Sequence, residues 1–393
     1  MESLQNPFAP STGTPPPELA GRDDVLTKVR ESYLRARMGL PCRPFMLLGL
    51  RGVGKTVLLN EIARLASEDG IVVSQVESPE IEPLADLLFP LMGKALRTLS
   101  AVEKSKDLAG KGLRALRNFA SALKVKYGDL EVGIAPETEP GIADTGNIEY
   151  DLPDMFELIG QTAKKGKNAW LLLIDEVQYL NERDLSALIV ALHKMAQKGL
   201  PVVLVGAGLP QVARLAGSAK SYTERLFLYP TIGALSADAV ENAVVKPLTA
   251  RNARITPEAL AALVKGTRGY PFFIQEWAFN TWNCAPTSCL TLSDVEHAYP
   301  RTIKNLDESF FRVRSDRLTN REITFVKAMA SLGEGPYTME SVLSVLRTTS
   351  SRVSPVRSSL IKKGMIYSPR HGLLAFTVPL FEEYLNRDVQ LNY

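Results

Sequence analysis

Hydrophobic residues along this chain switch between two spacings, and the switching predicts an α/β protein. Unbroken apolar runs of strand length occur at Pro44-Phe45-Met46-Leu47-Leu48, Trp170-Leu171-Leu172-Leu173-Ile174 and Leu200-Pro201-Val202-Val203-Leu204-Val205-Gly206, and Gly70-Ile71-Val72-Val73-Ser74-Gln75-Val76, interrupted by Ser74 and Gln75, reads as a further strand. Runs that are apolar at every position, rather than every second one, suit strands covered on both faces, as in a parallel sheet. A last sheet strand is predicted from Leu226 to Ile232. Between the strands the spacing is helical, from about Val25 to Arg37, at Val57, Leu58, Leu59, Ile62, Ala63, Leu65 and Ala66, and near Glu182 to Lys198.

Residues 80 to 150 read as an insertion between the second strand and its next helix. Two helical patterns come first, with Leu84, Leu87, Leu88, Leu91 and Met92 in one and Leu108, Leu113, Leu116, Phe119 and Leu123 in the other. Lys104, Lys106, Lys111, Arg114, Arg117 and Lys124 give the second pattern a charged face of the solvated kind. Val125 to Val132 reads as two short strands about Gly128-Asp129, and Ala135 to Asp154, acidic and rich in Pro and Gly, as an exposed loop. Insertions often carry partner contacts, so a protein partner for residues 80–150 is expected.

From Ser236 the strands give way to helices, marking a second domain. Thr256-Pro257-Glu258 supplies an N-cap and an N1 proline before Leu260, Leu263 and Val264. Gly269-Tyr270-Pro271 opens the next helix through Phe272, Phe273, Ile274 and Trp277, and by itself reads as a turn with proline at N1. In the tail, Thr319-Asn320-Arg321-Glu322 is a capping box ahead of Ile323, Phe325, Val326, Met329 and Ala330. A second helix covers about Thr338 to Leu346, and a third about Ser350 to Lys363, stopped by Gly364. Met365 to Ser368 and Leu373 to Val378 pair as a β-hairpin about Pro369 to Gly372. Three helices and a hairpin predict a winged helix-turn-helix. The domains are then 1–18, an extended Pro-rich arm that builds no core, 19–235 with the insertion 80–150, 236–316 and 317–393.

The chain has 393 residues, 45% of them hydrophobic, which suits two or three globular domains. A net charge of +3 is too mild to argue for nucleic acid, so such a partner must be argued from local clusters. No apolar run approaches the roughly 18 residues of a membrane span, and Met1 to Gln5 lacks the regions of a signal peptide, so a cytoplasmic protein without membrane contact is expected. Cys42, Cys284 and Cys289 form no CxxC pair and His193, His297 and His371 are scattered, which argues against disulfide or zinc chemistry.

The chemistry centres on Gly49 to Thr56, which reads GLRGVGKT and fits GxxxxGK[ST] between a strand and a helix. Gly49, Gly52 and Gly54 permit backbone angles that turn successive N–H groups toward phosphate oxygens, and the helix N-terminus adds partial positive charge. Arg51, Val53 and Val57 complete the cradle. Lys55 would reach the β- and γ-phosphates and the Thr56 hydroxyl would bind Mg²⁺, making ATP and ADP the expected ligands. The alternative is an ordinary glycine turn. Trp170 to Glu176 ends an apolar strand in two carboxylates: Asp175 would hold the magnesium, and Glu176 would orient and polarise the attacking water. The alternative there is an exposed acidic strand end.

Other candidates rest on position. Leu19, Gly21 and Arg22 precede the first helix where an adenine contact is expected, and the same residues also read as a helix start with no ligand. Arg225 precedes the last strand, where an arginine neutralises phosphoryl charge in its own subunit or across a homo-oligomer interface; a structural ion pair explains it equally, and Arg214 is the reserve. The tip Gly206-Ala207-Gly208 offers no polar side chain to the γ-phosphate, and Gln211 follows. In the tail, Arg352, Arg357, Lys362, Lys363 and Arg370 fit phosphate contacts of double-stranded DNA, although winged helices also dock proteins.

With these residues in place, the chain resembles an AAA+ ATPase of the branch containing the STAND and archaeal-type ATPases, related to origin-recognition initiators. The resemblance rests on Gly49 to Thr56, Leu171 to Glu176, the Gly269-Tyr270-Pro271 triplet, which matches the STAND GxP motif, and the terminal winged helix. It implies a helical lid over 236–316, with Pro271 beside the nucleotide and Arg268 nearby, moving between ATP and ADP states. The tip without a polar sensor, and Gly-Tyr-Pro where many AAA+ lids have an arginine, imply slow hydrolysis suited to a switch.

Overall fold

The computed structural model describes residues 1–11, 13–79, 82–126 and 138–391, with side chains through residue 387. It divides into two compact units, a sheet unit of residues 22–49 and 55–232, and a helical unit of residues 1–21, 50–54 and 233–393.

In the sheet unit the elements run α1 (Asp23–Arg37), β1 (Phe45–Gly49), α2 (Lys55–Glu68), β2 (Val72–Glu77), α3 (Leu84–Ser100), α4 (Lys106–Leu123), α5 (Ile148–Lys165), β3 (Trp170–Asp175), α6 (Glu182–Lys198), β4 (Val202–Gly208), α7 (Val212–Ala219), α8 (Thr223–Leu226) and β5 (Thr231–Ile232). The strands form one parallel five-stranded sheet ordered β2-β3-β4-β1-β5. This is the α/β fold of P-loop AAA+ ATPases. The all-apolar runs have the reason expected of them: every residue of β3 is buried. Trp170, Leu172 and Ile174 join a hydrophobic cluster with α3 to α6, and the strand's alternation turns Leu171 and Leu173 to the opposite face. The order also places the tip of β4 between those of β1 and β3, which matters for the site below.

Several local expectations change. The fifth strand is shorter than Leu226 to Ile232, because α8 takes Leu226 and Pro230 has no N–H to give a ladder. Leu228 still bonds the edge of β1 through its amide to Pro44 O (2.9 Å) and its carbonyl to Met46 N (2.8 Å). The acidic loop expected to Asp154 ends at Asn147, whose side chain caps α5 by accepting from Glu149 N at 3.2 Å. Pro153 lies inside that helix with its ring buried. The helices of the 80–150 stretch are not an appendage, since Leu88, Met92, Leu96, Leu116 and Phe119 belong to the main core cluster. Val125 and Lys126 are not strand, and the rest of the expected strand pair, residues 127–132, lies outside the described residues.

The helical unit contains α9 (Ala237–Thr249), β6 (Arg254–Ile255), α10 (Pro257–Thr267), α11 (Pro271–Cys284), β7 (Cys289–Leu290), α12 (Leu292–Asn305), α13 (Arg312–Ser315), α14 (Asn320–Ala330), β8 (Tyr337–Thr338), α15 (Met339–Leu346), α16 (Ser350–Lys362), β9 (Ile366–Tyr367), β10 (Leu373–Phe376) and α17 (Phe381–Leu391). Both the Thr256 cap and the Thr319–Glu322 capping box form. The hairpin β9–β10 is joined by β8 into a three-stranded antiparallel sheet ordered β8-β10-β9. The parallel pair β6–β7 and β8 had no signal long enough to read, each strand being two residues, and the eleven-residue α17 was not anticipated. Residues 1–11 are not a free extended arm. Phe8 is buried, Asn6 donates to Phe279 O (3.0 Å) and Asn283 Oδ1 (3.1 Å), and Trp282 Nε1 donates to Glu2 O (3.1 Å). Polar side chains on one flank of α11 thus replace the core that the arm cannot build. Among the described residues no helix is long and apolar enough to cross a membrane.

Candidate functional site

At the carboxyl edge of the sheet, three elements bring the expected residues together. Lys55 and Thr56 open α2, and Asp175 ends β3. Lys55 Nζ is buried and donates to Gly49 O at 3.0 Å. Thr56 Oγ1 donates to Asp175 Oδ2 at 2.5 Å, joining residues 119 apart in sequence. Asp175 is 4% exposed, and burial raises its pKa; the Glu176 charge adds to this, while the Thr56 hydroxyl, the Glu176 amide and Lys55 oppose it. Glu176 turns the chain sharply with a left-handed φ of 52°, and its amide donates to Asp175 Oδ1 at 2.8 Å. Its carboxylate accepts from Gln178 Nε2.

Two further residues at this edge were not anticipated. Glu77 ends β2 in register with Asp175, and its carboxyl is pushed up by burial and then by the charges of Asp175 and Glu176. Its signal was an acid at the end of a predicted strand, weaker than that of Asp175 because Ser74 and Gln75 interrupt the apolar run. Gln178 lies in the short turn Val177–Tyr179, and its only signal was a polar residue in an apolar stretch.

The loop itself needs positive φ at Gly52 (81°) and Gly54 (89°). Gly49 is not such a position; it is the last residue of β1, paired in register with Ile232. Val53 is buried, and Arg51 and Val57 are half-buried. Residues 50–54 cluster with the helical unit. There the Tyr270 hydroxyl reaches the carbonyls of Arg51 and, at 3.2 Å, Thr377, and a Cβ on Gly52 would lie 2.8 Å from the Tyr270 ring. The ring is buried, which pushes the phenol pKa well up and keeps it a neutral donor.

Pro271 is the first residue of α11. The preceding Gly269 is required by its surroundings, with φ 69° and a Cβ position 2.4 Å from Leu235 O. Arg268 pairs with Glu334 (2.9 Å), Glu382 (3.2 Å) and Glu383 (2.9 Å). Gly21 packs where a Cβ would stand 2.9 Å from that of Ala239. Leu19 is half-buried, and Arg22 is buried, which lowers its pKa. Arg225 and the reserve Arg214 are both exposed.

In the tail, Arg352, Lys362 and Arg370 are exposed and Arg357 is half-buried. Lys363 leaves the candidate DNA set. Its ammonium donates to Glu322 (2.7 Å) and to Arg317 O (2.9 Å), so its charge is spent on holding α16 to the start of α14.

The donor set fits Mg²⁺, a hard ion that keeps several waters and takes one or two protein oxygens together with substrate phosphates. Thr56 and Asp175 supply such oxygens side by side, and among the described residues no cluster of three or more His, Cys, Asp or Glu competes as a metal cage.

Residues 18–205 match the family model described as "AAA ATPase domain", and residues 308–385 match one described as "Domain of unknown function (DUF8462)". Among solved structures the chain is similar to the Walker-type ATPase paby2304 of Pyrococcus abyssi, at 15% identity and a TM-score of 0.56, over 94% of this chain and 96% of that one. It is also similar to the Aeropyrum pernix ORC2 protein in its ADPNP-ADP complexes, at 14% identity and a TM-score of 0.52, over 98% and 97%. At these identities the likeness concerns the fold. No curated protein matches the chain.

Proposed function

We propose that the chain is an ATP-binding and ATP-hydrolysing P-loop switch, slow in turnover, that couples nucleotide state to rearrangement of its helical lid and C-terminal domain. The observation that carries this is the Thr56–Asp175 hydrogen bond, with Lys55 and Glu176 beside it: a buried lysine, a hydroxyl and two acids share one sheet edge. Residues 49–57 cradle the phosphates. Thr56 and Asp175 would hold Mg²⁺, which supplies charge neutralisation at the phosphate oxygens when bound. Glu176 orients the attacking water and takes its proton. Leu19, Gly21 and Arg22 contact the adenine, and Pro271 starts the lid helix. Arg225, being exposed, is free to act in trans in a homo-oligomer. The nucleotides bound to the similar Aeropyrum protein support the choice of ligand.

We read the domains as core 19–235, lid 236–316 and winged helix 317–393, and the branch as STAND-like from Gly269-Tyr270-Pro271. The action on DNA rests on Arg352, Arg357, Lys362 and Arg370, carried by a helix without an acid and by its hairpin; the 80–150 region would meet a protein. The experiment is steady-state phosphate release with Mg-ATP, with and without duplex DNA. Lys55→Ala and Glu176→Gln should each abolish release, with Glu176→Gln still binding ATP. No release by the unaltered chain under any of these conditions refutes the reading.

A further inference from the structure

One side chain at the sheet edge has no part in the hydrolysis proposed above. Gln178 is half-buried in the turn after β3. Its Oε1 accepts from Leu209 N at 3.1 Å, just past the end of β4, and its Nε2 donates to the Glu176 carboxylate. The amide is therefore oriented from both ends. Leu209 N–H requires an acceptor, which assigns Oε1, and the carboxylate requires a donor, which assigns the NH₂ group. The strand beneath is built around it. A Cβ on Gly208 would lie 2.7 Å from Gln178 Oε1, and one on Gly206 would lie 3.1 Å from Val177 Cγ2 and 2.5 Å from Met46 Sδ. Gly208, at the β4 tip that offers no polar side chain, is thus what admits Gln178 over that tip, while Gly206 makes room for Met46 and Val177.

We infer that Gln178 is a positioning residue for hydrolysis, acting through Glu176: it ties that carboxylate to the backbone of β4 and leaves the second carboxylate oxygen to meet the water. The inference rests on the ATPase reading. An acid at a chain reversal, anchored only through its backbone, would otherwise sample several rotamers, and a single donor fixed by a strand removes most of that freedom. Outer partners that orient a reacting or ligating group are typically worth about 10–100-fold.

The test uses the full chain and two variants with opposite consequences. Gln178→Ala should lower kcat by about 10–100-fold with the ATP dissociation constant changed by less than about threefold, and should expose the Leu209 amide to hydrogen exchange. Gln178→Glu can still accept from Leu209 N but repels Glu176 instead of donating to it, so Leu209 stays protected while kcat falls at least as far. Turnover of Gln178→Ala within about twofold of the unaltered chain overturns the inference alone, as does full recovery in Gln178→Glu. An unaltered chain that releases no phosphate, matching Lys55→Ala, overturns the ATPase reading and this inference with it.

Discussion

Glu322 offers a quantitative test of how the C-terminal helices are held, and of which cations remain for a ligand. Its side chain is only 4% exposed, yet it is ionised: burial works against the charge, while the Lys363 ammonium, the Ser359 hydroxyl and the Thr319 amide outweigh it and hold the pKa at about 2. Those partners lie at 2.7, 2.6 and 2.7 Å. An acid held near 2 rather than at its ordinary 4.5 is worth up to about 3 kcal/mol at neutral pH, at 1.36 kcal/mol per pKa unit. Because the folded-state value is the depressed one, this stability is complete above pH 4.5 and is lost as pH falls from there toward 2. Glu322→Gln should therefore destabilise the unit by about 2–3 kcal/mol at pH 7 and by almost nothing at the acid end of that window. Lys363 is one-third exposed and keeps part of its hydration, so Lys363→Ala should cost less, about 1–2 kcal/mol. The assay is a urea titration read by hydrogen exchange in α14 and α16. A Glu322→Gln chain whose exchange midpoint matches the unaltered one at pH 7 would refute the reasoning.

The same geometry separates structure from DNA contact. Arg352→Ala and Lys362→Ala should each flatten the salt dependence of duplex binding by roughly one counterion, whereas Lys363→Ala should leave the slope unchanged, as a titration across salt concentrations will reveal. Asp175→Asn should cost turnover on the order of 10²-fold or more through lost Mg²⁺ binding, yet raise the melting temperature of the nucleotide-free chain at neutral pH, because burial disfavours the aspartate's ionised form. A melting temperature below that of the unaltered chain would contradict this account of Asp175. Arg268→Ala removes the counter-charge of three acids and leaves Glu382, whose pKa burial already raises, more costly to ionise. The C-terminal helices should lose about 1–2 kcal/mol at neutral pH and recover as acidification protonates Glu382, read by exchange in α17.

Local order was legible wherever a few adjacent residues decide it. Unbroken apolar runs flagged β1, β3 and β4, a largely apolar one flagged β2, the Thr256 and Thr319 caps marked helix starts, and the GLRGVGKT string fell between strand and helix because those residues alone set the required backbone and charge. The Asp175-Glu176 pair was visible because an acid that ends a buried strand must emerge at its tip. What failed were readings that depended on distant partners. Gly49 was credited with the special backbone angles of Gly52 and Gly54 until its pairing with Ile232 made it the end of β1, and Lys363 looked like a groove-facing cation until Glu322, 41 positions earlier, claimed it.

Tertiary structure alone decided the rest, for a common reason: a side chain's role is set by what lies within a few ångströms, and sequence distance does not report that. Arg268 turned to three acids, Phe8 found a buried site, and two-residue strands formed with no periodicity to announce them. The strand order put β4 between β1 and β3, and only then did Gly208 become the space that Gln178 fills. The chain's residue order thus determined that phosphate chemistry was available, and folding determined which neighbours would orient it.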